Sequence, residues 1–424
     1  MTSARSSDWS VTRRVSFRFL FLYWTLYNIP QYGCASIFDI LPWGAEKINA
    51  ILCWPLQQPS LWLGKHLFHL QGIAASFHPT GSGDTALSYV LVLVILILSL
   101  LGTVLWSLLD RHRSNYRTLD AWLRLFISLV VATSMIEYGF AKIYPSQFGP
   151  IFLSRLNETY GESSPMALLW TFMGGSRWYT MFGGFAEATS GLLLFFRRTR
   201  TISALLAAGV LFNVVLLNFC YDVPVKIYSS HLFLMCLFLV APDLIALARL
   251  FFLRRQIQLS DDHIPASSNL WIRRTGPILL ALVVLSTLYT QGFRTFQPYS
   301  TDDTSIPLYG IWRVENATST VAGTPWSEII VDDASSMLIK RADSSFIRLK
   351  AKVDPAGHTI ALTSKKFGNS LLHYAPDPAN ARHLIFDGRF NQGDVRFELK
   401  RRSPDSYLLL TRGFHWVNET SPNM

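Results

Sequence analysis

The stretch Gly183–His231 reads GGFAEATSGLLLFFRRTRTISALLAAGVLFNVVLLNFCYDVPVKIYSSH. Its order decides the fold: an apolar run, an arginine-rich hinge, a second apolar run, and a cluster of polar residues before a third. Glu187 and Asn213 sit inside the apolar runs, while Asn218, Asp222, Lys226 and His231 gather where the second run ends. Ionisable side chains cost several kcal/mol at the centre of a bilayer, so in such runs they are candidates for function.

Composition supports a membrane reading. Half of the 424 residues are hydrophobic and only 16% are charged, too apolar for an ordinary soluble chain. The net charge of +10 falls almost wholly in the first 300 residues, in the connections between apolar runs. It therefore reads as a topology signal and not as a nucleic-acid surface. Four cysteines without a CxxC pair argue against thioredoxin-like chemistry and a structural zinc site. There is no strand-linked GxGxxG, Walker motif or CxxCH, so a redox cofactor would be a diffusible quinone or belong to a partner. No Ala-x-Ala-like cleavage site follows the first apolar run, which predicts a retained helix.

Seven apolar runs are predicted as helices: about 17–32, 87–109, 119–143, 178–196, 202–219, 230–247 and 277–292. Residues 34–83 read as irregular and Pro-broken, with an amphipathic patch at 61–70 suited to a membrane surface. Asp84 or Thr85 is expected to cap the helix that follows. Arginine is rich at the N-terminus and in segments 110–118, 197–200 and 249–274. These are alternate connections, which places the N-terminus inside and the C-terminus outside. The expected localisation is a bacterial inner membrane, N-terminus cytoplasmic and C-terminal domain periplasmic.

From about Tyr309 the period changes to two. Nine segments, from GIWRVE to SYLLLTRGFHWV, alternate apolar and polar residues between turns such as Asp332-Asp333 and Asp354-Pro355-Ala356-Gly357. This predicts an antiparallel meander or barrel. The fold class is thus an α-helical polytopic membrane bundle of about seven helices followed by a β-meander or barrel. Its divisions are 1–118 (N-terminal helices and outward loop), 119–250 (a four-helix core), 251–300 (basic segment and last helix) and 301–424 (the outward barrel).

Two resemblances extend this reading. The Gly310-Ile311-Trp312 opening resembles the Gly-x-Trp start of lipocalin-like barrels, which implies a basic residue of the last strand over that Trp; Arg412 is the expected one. Residues 124–243 resemble the DoxX/DoxD-like membrane families. The resemblance rests on an Arg-led helix ending YGFAK (138–142), on GGFAEATSGLLLFFRRTR, on ALLAAGVLFNVVLLN, and on the closing Ala-Pro-Asp of 241–243. The vitamin-K-dependent carboxylase membrane domain is a more distant likeness. The DoxX resemblance implies a compact helical core, and links to redox partner proteins and quinone-coupled oxidation.

Helical rise places Glu187 about 15 Å deep, near the midplane, with Asn213 at a similar depth. Glu137, Lys142, Asn218, Asp222, Lys226 and His231 fall at the outer side. The functional expectation is an outward-opening pocket for a quinone-like or lipid-like molecule, with Glu187 carrying protons and His231 relaying them. The alternative is structural: a Glu187–Asn213 hydrogen bond between helices, an exposed Asp222–Lys226 ion pair, and a packed His231. A non-enzymatic binding or transport protein, and a scaffold acting through the barrel, are the other function classes. His66 and His69 lack a third metal ligand nearby. Cys34 and Cys53 share one loop and are a candidate disulfide. Asn157, Asn316 and Asn418 begin N-x-[ST] sequons.

Overall fold

The computed structural model describes residues 8–29, 45–77, 83–144, 146–254, 306–320, 325–377, 380–403 and 406–413, with isolated positions between 256 and 289. The chain forms two compact units: Met1–Gln147 with Thr180–Gln297, and Phe148–Tyr179 with Pro298–Met424. In chain order the described helices are α1 (Val11–Asn28), α2 (Ala45–His66), α3 (Ala86–Leu109), α4 (Arg117–Ile143), α5 (Leu153–Asn157), α6 (Pro165–Gly175), α7 (Arg177–Leu194), α8 (Arg200–Cys220), α9 (Lys226–Val240), α10 (Leu244–Leu253) and α11 (Leu408–Thr411).

The first unit is helical. Hydrogen bonds at its two ends fix the helix directions. At one end, Trp9 N donates to Ser114 O (3.0 Å) and Arg14 Nη1 to Arg113 O (2.6 Å). There too Arg124 Nη1 donates to Phe238 O (2.7 Å) and Thr201 Oγ1 to Asp243 Oδ2 (2.7 Å). At the other end Gly83 N donates to Pro224 O (3.1 Å). Helices α1, α4 and α8 therefore run one way, and α3 and α9 run the other. The arginine-rich N-terminus, the 110–118 connection and the start of α8 all lie at one end, as the charge pattern predicts.

The expectation of about seven spans is corrected. Among the described residues three helices are long and apolar enough to cross a membrane: α3, α4 and α8. The others fall short for local reasons. Helix α1 carries Arg13, Arg14 and Arg18 in 18 residues. Helix α7 carries Arg177, Glu187 and several small polar residues. Helix α9 has 15 residues, about 22 Å of rise against a hydrocarbon core of about 30 Å. The predicted 277–292 run lies largely outside the described residues. The irregular reading of 34–83 is also corrected, because α2 runs through Pro55 and Pro59. Packing keeps it helical: Gly64 lies against Leu87 of α3, and Leu56 and Ser60 are buried.

Helices α4 and α7 approach more closely than side chains would allow. A Cβ on Gly139 would meet Ala188 N at 2.6 Å and Gly184 O at 2.7 Å. One on Gly191 would meet Ala132 O at 2.8 Å. Small residues on both faces bring the two backbones together, the usual way membrane helices associate. Ser203 Oγ also donates to Ser190 O, which joins α8 to α7.

The second unit is built on eight antiparallel strands: β1 (Gly310–Ser319), β2 (Trp326–Asp333), β3 (Ser336–Arg341), β4 (Phe346–Asp354), β5 (Thr359–Ser364), β6 (Gly368–Asp377), β7 (Asn380–Phe390) and β8 (Gly393–Arg402). Each pairs with the next and β8 pairs with β1, which closes the barrel. Alternate residues point inward, as Val395, Phe397 and Leu399 do on β8. Side chains fill the interior. Ile329, Met337, Ile339, Ile360, Leu372 and Phe386 are 0% exposed. A chamber able to hold a ligand would leave its lining exposed to water-sized contact. An eight-stranded barrel is wide enough either to be filled by side chains or to hold one small ligand, and here the inward side chains form one buried cluster.

Strand β2 is buried on both faces, from Glu328 to Val331. The cause is α5, whose Leu153 packs on Ile311 and Ile330 of the outer wall. Ser154 N donates to Asp332 Oδ2 (2.8 Å), and Tyr407 donates to Asn157 Oδ1 (2.6 Å). Segment 148–179, which connects α4 to α7, thus builds on the barrel. It also contains α6, where a loop is expected from its Pro, Gly and Ser. The predicted ninth strand is corrected too: residues 408–411 form α11. Arg412 therefore follows the barrel, and the basic residue opposite Trp312 is Arg401 of β8.

Candidate functional site

The eight residues singled out in the sequence fall into several separate groups. Glu187 of α7 pairs with Lys142 of α4, with Nζ donating to Oε2 at 2.7 Å. Both side chains are nearly buried, 5% and 10% exposed. Gly139 permits this contact, because it lets α4 reach the α7 backbone beside Glu187. The same contact locates Glu187 along α4. Its neighbour Ala188 lies level with Gly139, four residues or about 6 Å from the end of α4. The first turn of α7, which the depth arithmetic counts from, belongs to the barrel unit.

Asn213 is exposed on α8 and takes no part in that contact. The expected Glu187–Asn213 hydrogen bond is replaced by the Lys142 ion pair. Helix periodicity explains it: the buried face of α8 runs through Ala204, Ala207, Ala208, Leu211 and Asn218. Residue 213 lies about 200° around the helix from Leu211. Asn218 is on the buried face and donates to Ser229 Oγ of α9 (2.9 Å). Glu137 is exposed. Asp222 and Lys226 form an ion pair of 2.8 Å in which Asp222 is 83% exposed, the solvated pair of the structural alternative.

His231 sits in an aromatic stack. Its ring lies parallel to Tyr27 (4.0 Å between centroids) and to Tyr23 (5.9 Å), with Trp24 edge-on. Nδ1 is 2.7 Å from Ile227 O and Nε2 is 2.8 Å from the Tyr23 hydroxyl. A carbonyl only accepts, so Nδ1 carries the proton and Nε2 accepts from Tyr23. Both ring nitrogens of the neutral tautomer are thus in use. Among the described residues no group of three His, Cys, Asp or Glu is placed to hold a metal ion. His66 Nδ1 lies 2.9 Å from Trp62 O. Cys34 and Asn418 lie outside the described residues. Asn157 is buried under Tyr407, which removes it as an open sequon.

Several residues were not anticipated. Asp84 caps a helix far from it in sequence: Lys226 N and Ile227 N donate to its two oxygens at 2.6 and 3.0 Å. Thr85 caps α3 as expected. At the other end of α9, Arg124 binds Phe238 O and pairs with Asp120 (3.0 Å). Helix α9 therefore has a carboxylate at its N-terminus and a guanidinium at its C-terminus, both of which its dipole favours. Arg18 is 4% exposed and donates to Tyr116 Oη, Ser107 Oγ and Asp110 O. Ser134 of α4 lies 2.6 Å from the Tyr228 hydroxyl of α9. An Arg or Asp beside an apolar run was the available signal; its partner was not.

A cleft of about 420 Å³ lies on the outer wall of the barrel, between α5 and strands β2–β4. Phe152, Leu338 and Phe346 line it, with Arg155, Asp333 and Arg348 among its charged groups. Asp333 accepts from the Ser335 backbone N–H, which holds its carboxyl below the usual range.

No family model matches the chain, and no solved structure matches it. It is 34% identical over 127 residues to the uncharacterised protein YwoB of Bacillus subtilis (strain 168). The aligned region is 30% of this chain and 78% of that relative. With most of that relative covered at this identity, the chain belongs to the YwoB family.

Proposed function

We propose that this protein is a DoxX-like integral membrane protein that works as a scaffold, with the barrel offering its outer wall to a partner. The observation that carries this reading is the barrel interior, where the inward side chains are buried against one another in one cluster. The cleft beside α5 supports it, since it places apolar and charged groups together on the outside of the same barrel. So do Glu187, Asn218 and His231 of the helical unit, each of which is bonded to a side chain of another helix. The DoxX likeness rests on the motifs of residues 124–243. The orientation rests on the arginine-rich connections that share one end of the helical unit, with the barrel on the periplasmic side of a bacterial inner membrane. The test is titration of the full-length protein with a fluorescent fatty acid and with a quinone analogue, read by energy transfer from tryptophan. The scaffold reading predicts no saturable transfer that Ile360→Trp, which overfills the barrel, would abolish. Saturable transfer lost in that variant would reinstate the barrel as a carrier.

A redox-associated role with a bound quinone or lipid is the second reading. It is favoured by one observation: Lys142, Glu187, Tyr138 and Tyr228 bring ionisable and phenolic groups together between apolar helices. Native mass spectrometry with quinone extraction, comparing wild type with Glu187→Gln, tests it. A stoichiometric quinone lost in the variant is its expected result, and no quinone in either form would overturn it.

A further inference from the structure

We propose that α6, the first turn of α7 and α11 form a patch that docks the barrel unit on the membrane surface. The patch is apolar, aromatic and uncovered. Phe172 is 58% exposed, Trp178 81% and Tyr179 49%, and the consecutive leucines 408–410 are 62%, 52% and 41% exposed. These groups adjoin one another. Phe172 meets Tyr179 edge-on at 5.4 Å. A Cβ on Gly175 would lie 3.7 Å from Leu409 and 3.8 Å from Ile151. Helix α6, sequence PMALLWTFMGG, carries no charged residue. A contiguous exposed surface of this kind marks an interaction site.

Chain connection identifies the occupant as lipid. Helix α4, long and apolar enough to span a bilayer, ends at Ile143. Gln147 N then donates to Ala141 O (3.0 Å), so the chain has folded back onto the last turn of α4 where the barrel unit begins at Phe148. The return path is as short. Gly184 packs on Gly139 and Ile143 of α4, and Tyr179 precedes it by five residues of one helix, about 7.5 Å. Trp178 and Tyr179 are therefore held at the level where a span leaves the hydrocarbon. Tryptophan and tyrosine favour that level, with the ring body in apolar chains and the polar edge in water. The three leucines of α11 extend the same surface from the barrel's C-terminal side.

The experiment uses full-length protein in nanodiscs, with an environment-sensitive fluorescent amino acid at position 178, 409 or 389. Arg389 is exposed and lies at the far end of β8 from α11, about 25 Å along the strand. Lipids spin-labelled near the headgroup act as quencher. The docked patch predicts blue-shifted emission at 178 and 409, quenched several-fold more than at 389. Quenching at 178 and 409 no greater than at 389 would overturn the proposal. So would blue-shifted emission without lipid quenching, because a second copy or another protein would then cover the patch. Position 172 replaces 409 if that label prevents recovery of monodisperse protein. A label at Leu101 of α3, read with a deep-chain quencher, tests the spanning reading on which the proposal rests. Loss of quenching there would overturn both, whereas quenching at 101 alone would overturn docking only.

Discussion

Breaking the Lys142–Glu187 pair should have unequal effects from its two sides. The pair joins α4 to α7 at 2.7 Å, with Glu187 the more buried partner. Lys142 lies one residue from the end of α4 and carries a long apolar stem. Lys142→Met leaves the Glu187 carboxylate enclosed between packed helices, and removing one partner of such a pair costs about 3–5 kcal/mol. Glu187→Gln leaves an ammonium that can extend along its stem to water. Its cost should be nearer 1–3 kcal/mol, about that of a buried polar group that loses its bond. Lys142→Met combined with Glu187→Met should recover most of the loss, because a volume-matched apolar pair is often no worse than a buried ion pair. Thermal unfolding in one detergent, with all variants measured side by side, reads the ranking. Equal stability of wild type and Lys142→Met, or a double variant as unstable as the sum of the single ones, would refute the reasoning.

Asp84→Ala removes the cap of α9 and should cost about 1 kcal/mol in thermal unfolding, as loss of an N-cap does. Gly139→Ala places a Cβ against backbone atoms of α7 and should destabilise by about 1–3 kcal/mol, whereas Gly209→Ala, which meets open space, should be neutral or stabilising. Phe386→Ala in the filled barrel should cost about 3–5 kcal/mol. Tyr407 gives the barrel unit an alkaline limit. Burial raises its phenol above the ordinary value of about 10, so the unfolded chain loses that proton first. The stabilisation is complete below about pH 10 and disappears as pH rises through the folded value. Tyr407→Phe should lower stability near neutrality and flatten that alkaline decline in a denaturation series.

The barrel was the most legible part, because a period of two with turn residues states both the strands and the inward face. Its last strand was misplaced because the Tyr407–Leu410 run is apolar enough to read as one more strand; that displaced Arg401 in favour of Arg412. In the helical unit, direction and the arginine-bearing end were legible from charge. The prolines of α2 and the glycines of α6 hid two helices, since tertiary packing overrode local preference. Of the two asparagines of α8, only Asn218 continues the spacing of Ala204, Ala207 and Leu211, and that spacing was readable. The Lys142–Glu187 pair spans 45 residues, and pattern alone does not supply such a partner. The small residues at 139, 184, 188 and 191 were the available sign that two backbones meet there.

The central claim is that the ionisable residues of the helical unit hold helices together and that the protein acts without a carried ligand. Native mass spectrometry with lipid and quinone extraction, on gently solubilised wild type beside Glu187→Gln and with thermal stability recorded for both, tests it most directly. The account predicts no stoichiometric quinone or apolar small molecule in either form, and a lower unfolding temperature for the variant. A quinone retained by wild type and lost by a variant of unchanged stability would contradict it.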